Sequence, residues 1–264
     1  MIEAVFIPDG DVLIPQPTAA GPWFPGVQHG GAVTGLIARA VEMMPSAQPM
    51  MLTRMSVDLS RKVPMGPTRV TAEILRDGKR VQSLAVSFEV DGEIVARSTA
   101  IRIRIDESVV PPDRVPDWPE DEPPVGPDEL DNINKMVGGP DFVDNFTMRR
   151  REDETEPGRA VSWVKLDVPF VLGEPTQPMT FAAAAADMIP SAGSIMDFNT
   201  HISVNPDLSM QFHRVPVGDW IGSAALVRVN PGGFGSTDAQ LFDQTSSIGR
   251  SMKSLLIDPR DPAN

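Results

Sequence analysis

Three histidines, His29, His201 and His213, are the chain's whole supply of imidazole, and there is no cysteine. Thiolate nucleophiles, disulfides, iron–sulfur clusters and cysteine-held zinc are therefore excluded. Among the carboxylates Asp187 stands apart. It follows five consecutive alanines, Ala182 to Ala186, near the C-terminal end of a helix predicted from Thr180 to Met188 and stopped by Pro190. A helix dipole disfavours negative charge at that end by a few tenths to about 1 kcal/mol, so capping does not explain the residue. Two readings remain open. An ionised, partly desolvated carboxylate can take a proton from water as a general base, or it can be neutralised by a nearby base such as Lys253.

A second group of residues opens the first predicted helix. His29 precedes Gly30 and Gly31. Bare amides at a helix start can stabilise negative charge on an approaching carbonyl, or the glycines can serve only close helix-to-sheet packing. Thr180 and Phe181 hold the equivalent place in the second half. His29 can cap or hydrogen-bond locally, and His213 falls on the polar face of a predicted strand. The run Arg149-Arg150-Arg151 could grip phosphates, or form a solvated basic face before Glu152, Asp153 and Glu154. Ser162 and Lys165 spell a serine–lysine motif without companion motifs and inside a predicted strand, so they carry no chemistry. No nucleophile elbow, His-Glu-x-x-His zinc motif or phosphate-binding loop occurs. Neither a metal site nor a cofactor site is expected.

These residues sit in a duplicated frame. Val63-Pro64-Met65-Gly66 is answered by Val215-Pro216-Val217-Gly218, and Val95-Ala96-Arg97-Ser98 by Ile248-Gly249-Arg250-Ser251. The separations agree within one residue, 31 from Gly66 to Arg97 and 32 from Gly218 to Arg250. A repeat of one module is the economical reading. Each module holds one helix followed by long strands: a helix over Gly31 to Met44 with strands near 50–62, 68–76, 80–90 and 93–105, then the second helix with strands near 199–214, 219–229, 234–243 and 246–257. The first helix is apolar nearly all round, so a curved sheet must cover it. Leu208, Met210 and Phe212 alternate with Ser209, Gln211 and His213, but Pro206 marks an edge or a bulge that would shift the parity of everything before it.

Between the modules, seven prolines from Pro111 to Pro127 rule out a continuous helix or ladder. From Asp106 to Asp131 ten acids face a single base, which predicts an extended, solvated connector. The chain thus divides into modules over 1–105 and 141–264 with an acidic, proline-rich linker over 106–140. The 264 residues carry a net charge of −13, which argues against nucleic acid and against a polybasic membrane patch as partners. No basic segment followed by an apolar run opens the chain, and Phe181 to Ala186 falls far short of the roughly 20 residues of a membrane span, so a cytoplasmic location is expected.

Phe212-His213-Arg214 followed by Gly218-Asp219-Trp220 resembles a segment in the second half of acyl-CoA thioesterase II. Asn205-Pro206-Asp207-Leu208-Ser209 and Ile248 through Leu256 resemble its bacterial thioesterase-like relatives, as does His29-Gly30-Gly31 before the first helix. The resemblance implies an α+β fold of tandem hotdog type, two antiparallel sheets each wrapped around a central helix and joined edge to edge. It implies hydrolysis of an acyl-CoA thioester in cytoplasmic fatty acid metabolism, without a cofactor, by a chain that can self-associate into a homo-oligomer. The family's aspartate, threonine and glutamine hold and activate a water. By position they fall on Asp187, Asn205 and Lys253, or Ser254 if the last strand is shifted by one. His29, Gly30, Gly31 and Ser254 are the expected substrate-binding residues. An acyl-thioester binding protein with a degenerate site is the other outcome, and a hotdog hydratase would need an acidic partner for His29 that the sequence does not show.

Overall fold

A computed structural model describes residues 3–133, 140–152, 157–188 and 195–260; the helix-stopping role expected of Pro190 and the acids Asp153 and Glu154 fall outside them. The first half opens with a short hairpin, β1 (Phe6–Asp9) and β2 (Val12–Pro15), followed by helix α1 (Gly30–Glu42) and the strands β3 (Met50–Asp58), β4 (Thr68–Asp77), β5 (Val81–Val90) and β6 (Glu93–Arg104). The second half repeats the plan with β7 (Phe146–Glu152) and β8 (Arg159–Leu166), helix α2 (Pro178–Asp187), and β9 (His201–Val204), β10 (Asp207–Phe212), β11 (Trp220–Asn230), β12 (Phe234–Phe242) and β13 (Ser247–Pro259).

The strand order makes the repeat visible. Across the sheet it runs β1-β2-β4-β5-β6-β3-β10-β13-β12-β11-β8-β7, which reads the same from either end once each strand is replaced by its counterpart. Two sheets, one around each helix and joined edge to edge, were expected; the structure has a single continuous sheet. The edge-to-edge join is the antiparallel pairing of β3 with β10, from Asp58 opposite Asp207 to Arg54 opposite Gln211, and this seam makes all the strands one sheet. A strand edge left at the end of each module would expose unpaired amides, and joining the two edges satisfies both.

The helices lie side by side and antiparallel. Thr34 Oγ1 of α1 donates to Ala183 O of α2 at 3.0 Å, while Thr180 N and Oγ1 at the start of α2 donate to Glu42 at the end of α1. Small residues make this approach possible. A Cβ built on Gly31 would stand 2.9 Å from Ala184 O and 2.5 Å from the Phe142 ring, so only glycine fits there. Nearly every α1 residue from Gly31 to Ala38 is buried, and α1 also packs against β3, β4 and β5. The all-round apolar helix is thus covered as its composition requires.

The linker departs from the solvated connector expected. Val125 and Leu130 are buried with Trp163 and Phe242, and the Trp163 indole donates to Val125 O at 2.9 Å. Arg149 Nη1 donates to Pro127 O and Asp128 Oδ1, and Gln240 donates to Glu120 O. A few apolar residues among the acids are enough to bind the strap to the outer face of β8 and β12, because burying each side chain contributes on the order of 1–2 kcal/mol. Among the described residues no helix is long and apolar enough to cross a membrane.

Candidate active site

Asp187 is 5 % exposed and ends α2. Its carboxylate does not remain with its own helix. It lies against the N-terminus of α1, where a Cβ on Gly30 would stand 2.6 Å from Oδ2, and where the neighbouring dipole favours negative charge. Antiparallel packing explains the acid that α2 alone could not. Oδ1 accepts from Asn205 Nδ2 at 2.9 Å, and Oδ2 lies 3.2 Å from His29 Nδ1. Burial pushes the carboxyl pKa upward, but with a proton on His29 Nδ1 the bond and charge from that ring, the charge of Lys253 and the Asn205 amide overcome it and hold the group at about 2.

Asn205 reaches the carboxylate because the strand breaks where Pro206 stands. β9 pairs with β13 with His201 opposite Pro259 and Val204 opposite Leu256, whereas β10 pairs with Ser209 opposite Met252 and Phe212 opposite Gly249. One residue is gained between the two registers. Of the edge or bulge expected at Pro206, the one-residue gain is the bulge, and it reverses parity: Ser203 is buried before it and Leu208 after it. The extra residue turns Asn205 out of the ladder toward Asp187.

Lys253 is buried on β13 and donates to the main-chain oxygen of Asp187 at 3.1 Å. The contact therefore differs from a direct pairing with the carboxylate. The ammonium binds a carbonyl at the C-terminus of α2, where a cation is favoured, and acts on the carboxylate only through space. Burial lowers the Lys253 pKa, the Asp187 charge opposes that effect, and the positive Arg150 adds to it.

His29 is the N-cap of α1, its Nδ1 accepting from the Gly31 amide at 2.9 Å. Its ring stacks on Phe142 with centroids 4.8 Å apart. The acidic partner absent from the local sequence is Asp187, supplied by the other half. The duplication itself held the signal, since two helices related by a repeat pack start against end.

Asp187, Asn205, Lys253, His29 and Gly30 share the wall of one cavity of about 630 Å³. Val33, Phe146, Met148 and Met188 give it apolar surface, and Arg61, Lys62 and Arg150 add positive charge. Trp23 and Phe198, with rings 5.0 Å apart, also line it. Sequence reasoning gave no sign of this aromatic pair. Two expected residues stand elsewhere. Gly31 is buried between the helices with its amide occupied by His29, and Ser254 lies on the exposed face of β13, its amide donating to Asp207 Oδ1. Of the three consecutive arginines, Arg150 reaches the cavity, while Arg149 ties down the strap. His213 Nε2 bonds Ser247 O, and Ser162 Oγ bonds Ser223 Oγ, both structural contacts. Among the described residues no group of three or more histidines and carboxylates could hold a metal ion.

One antiparallel sheet with two helices, palindromic in strand order and carrying one buried carboxylate at the helix junction, defines an α+β protein of the double hotdog, thioesterase-like class. The chain belongs to the acyl-CoA thioesterase family: residues 19–103 match its N-terminal domain and residues 112–257 its C-terminal domain. Solved structures agree in fold. A candidate thioesterase from Novosphingobium aromaticivorans superposes with a TM-score of 0.74 at 19% identity, covering 96% of this chain and 98% of that one. A candidate thioesterase II from Thermobifida fusca gives 0.73 at 14% identity, covering 96% and 95%. An acyl-CoA thioesterase II from Mycobacterium marinum gives 0.63 at 18% identity, covering 88% and 90%. No curated protein matches the sequence.

Proposed function

We propose that this chain hydrolyses acyl-CoA thioesters, with Asp187 as the base that activates water. The observation that carries the reading is a carboxylate, 5 % exposed, in the wall of a partly apolar cavity and oriented by Asn205. An acyl chain lies along Val33, Phe146, Met148 and Met188, and the thioester carbonyl carbon is brought near Asp187. Asn205 fixes one carboxylate oxygen and leaves the other toward α1. Lys253 supplies positive charge beside the carbonyl oxygen as it becomes an oxyanion, which such groups stabilise strongly in a desolvated site. Water adds to the carbon, the carbon–sulfur bond breaks, and the proton taken from water goes to the thiolate. Gly30 is needed because any side chain there would displace the carboxylate.

A second reading has its own support. Asn205 and Lys253 stand where the family resemblance places a threonine and a glutamine, and a carboxyl held at about 2 is a weak base. Such a site would bind an acyl thioester without turning it over. Purified protein assayed with short, medium and long acyl-CoA esters, beside D187A, separates the two. Turnover that D187A reduces by about a hundredfold or more supports hydrolysis; saturable binding without turnover supports the carrier.

A further inference from the structure

One imidazole nitrogen has two neighbours that it cannot serve together. His29 Nδ1 lies 2.9 Å from the Gly31 amide nitrogen, which donates to it, and 3.2 Å from Asp187 Oδ2. Bearing a lone pair, Nδ1 accepts from Gly31 and repels the carboxylate. Bearing a proton, it binds the carboxylate and must release the amide. The two contacts are alternatives, and one proton selects between them.

Resting on the hydrolase reading, we propose that His29 is the proton relay of the reaction, a positioning residue that acts through Asp187 by accepting on Nδ1 the proton the carboxylate takes from water. The atoms balance without a further reactant. The water oxygen bonds the carbonyl carbon as its O–H bond breaks, and the proton passes from Asp187 to Nδ1. The carbon–sulfur bond then breaks with its electron pair on sulfur, and the stored proton returns through Asp187 to the thiolate, leaving a free acid and a thiol.

Three features support the relay. The Phe142 stack holds the ring plane, so Nδ1 stays between its two partners. The cap bond to Gly31 is forfeited while the proton is stored, which makes the loaded state transient and favours handing the proton on. Against the upward push of burial, the bond and charge from His29 are the largest influences lowering Asp187, so the carboxylate is the stronger base while Nδ1 is bare and the weaker one after the proton has moved. Other charges share the cavity: Lys253 from β13, Arg150 from β7, and Asp141 and Asp144 from the turn before β7. Arg61 and Lys62, from the loop after β3, complete the set.

The test uses H29N, because asparagine also caps a helix start but cannot store a proton. The expected result is an unchanged melting temperature within a few degrees and an unchanged KM, with kcat lowered about a hundredfold. The solvent deuterium isotope effect on kcat, which reports proton transfer in the slow step, changes in the variant as well. H29N that matches wild type in kcat and in isotope effect overturns the relay and leaves His29 a cap. A second measurement needs no turnover: the ¹⁵N resonance of His29 Nδ1 should move in D187N, and an unmoved resonance overturns the pairing. Wild-type protein inert toward every acyl-CoA overturns the hydrolase reading itself, whereas active wild type with an indifferent H29N overturns the relay alone.

Discussion

The Asp187 carboxylate stands at the C-terminal end of α2, which disfavours it, and at the N-terminus of α1, which favours it. Half of that situation was legible in the sequence, where an acid closing an alanine run had no local reason to exist. The other half was not, because nothing in a linear chain says which helix start will meet that acid. Gly30 follows the same division: its place at a helix start could be read, but its use as the surface on which a carboxylate lies required the packing. Gly30→Ala places a methyl group 2.6 Å from Oδ2, so the carboxylate must move. A shift of that kind is expected to lower kcat/KM about a hundredfold, with a stability loss of roughly 1–3 kcal/mol, measured by steady-state kinetics and urea unfolding. The depressed pKa has a consequence for stability as well. The folded state holds the carboxyl at about 2 against an ordinary 3.8, so its contribution is present above about pH 4 and is lost as the pH falls through 2. Between those limits wild type should lose on the order of 2 kcal/mol more than D187N, in chemical denaturation followed at stepped pH.

At the scale of elements, the break between β9 and β10 does the positioning. Alternation from Leu208 onward was readable, and Pro206 warned that the parity before it would differ. The direction in which Asn205 would point was not readable, since a bulge sends the extra residue wherever the neighbouring elements leave room. Helix α1 shows a similar limit. Its apolar surface predicted burial, but not that its C-terminal carbonyls would be met by a guanidinium. Arg102 of β6 is buried and donates to Val41 O, Met44 O, Pro45 O and the Gln82 side chain. Burial lowers its pKa, while the charges of Asp77 and Glu42 oppose that. Arg102→Leu takes the guanidinium from Met44 O and Gln82 Oε1, while Val41 O keeps the Met44 amide and Pro45 O keeps Gln82 Nε2; each group left without a donor costs about 1–3 kcal/mol before relaxation or water entry. The variant should lose roughly 3–5 kcal/mol in urea unfolding. Because α1 carries His29 and Gly30 at its other end, residual folded protein should keep its KM while the helix frays from the Glu42 end.

At the scale of the molecule, the site belongs to neither half. His29 and Gly30 come from the first module, Asp187, Asn205 and Lys253 from the second, and the cavity lies where the antiparallel helices bring them together. The repeat was legible from two pairs of short words at matched spacing, and the palindromic strand order bears it out. The seam was less so: β3 and β10 carry polar residues such as Arg54, Ser56, Ser209 and Gln211 on one face, which reads equally as solvent exposure and as a central strand of a sheet with one face in water. The modules are held together by the β3–β10 ladder and the buried α1–α2 contact, with the backbone bonds of Val5 and Phe6 to Pro169 and Phe170 and the Arg39–Glu174 ion pair beside them, and none of these survives separation. A chain ending at residue 105 would expose the β3 edge and the α2-facing side of α1, a surface prone to aggregation. Expressed alone, residues 1–105 and 106–264 should each lack a cooperative thermal transition and any acyl-CoA turnover. Co-expressed, they should recover both, because the strap is bound along the second module through Val125, Leu130 and Arg149 and so is not needed as a tether once the seam has formed. Calorimetry and turnover of the co-purified pair decide this. Independent melting of either half would mean that the ladder and the helix contact are weaker than the internal packing of each module, and that a complete site depends on the tether.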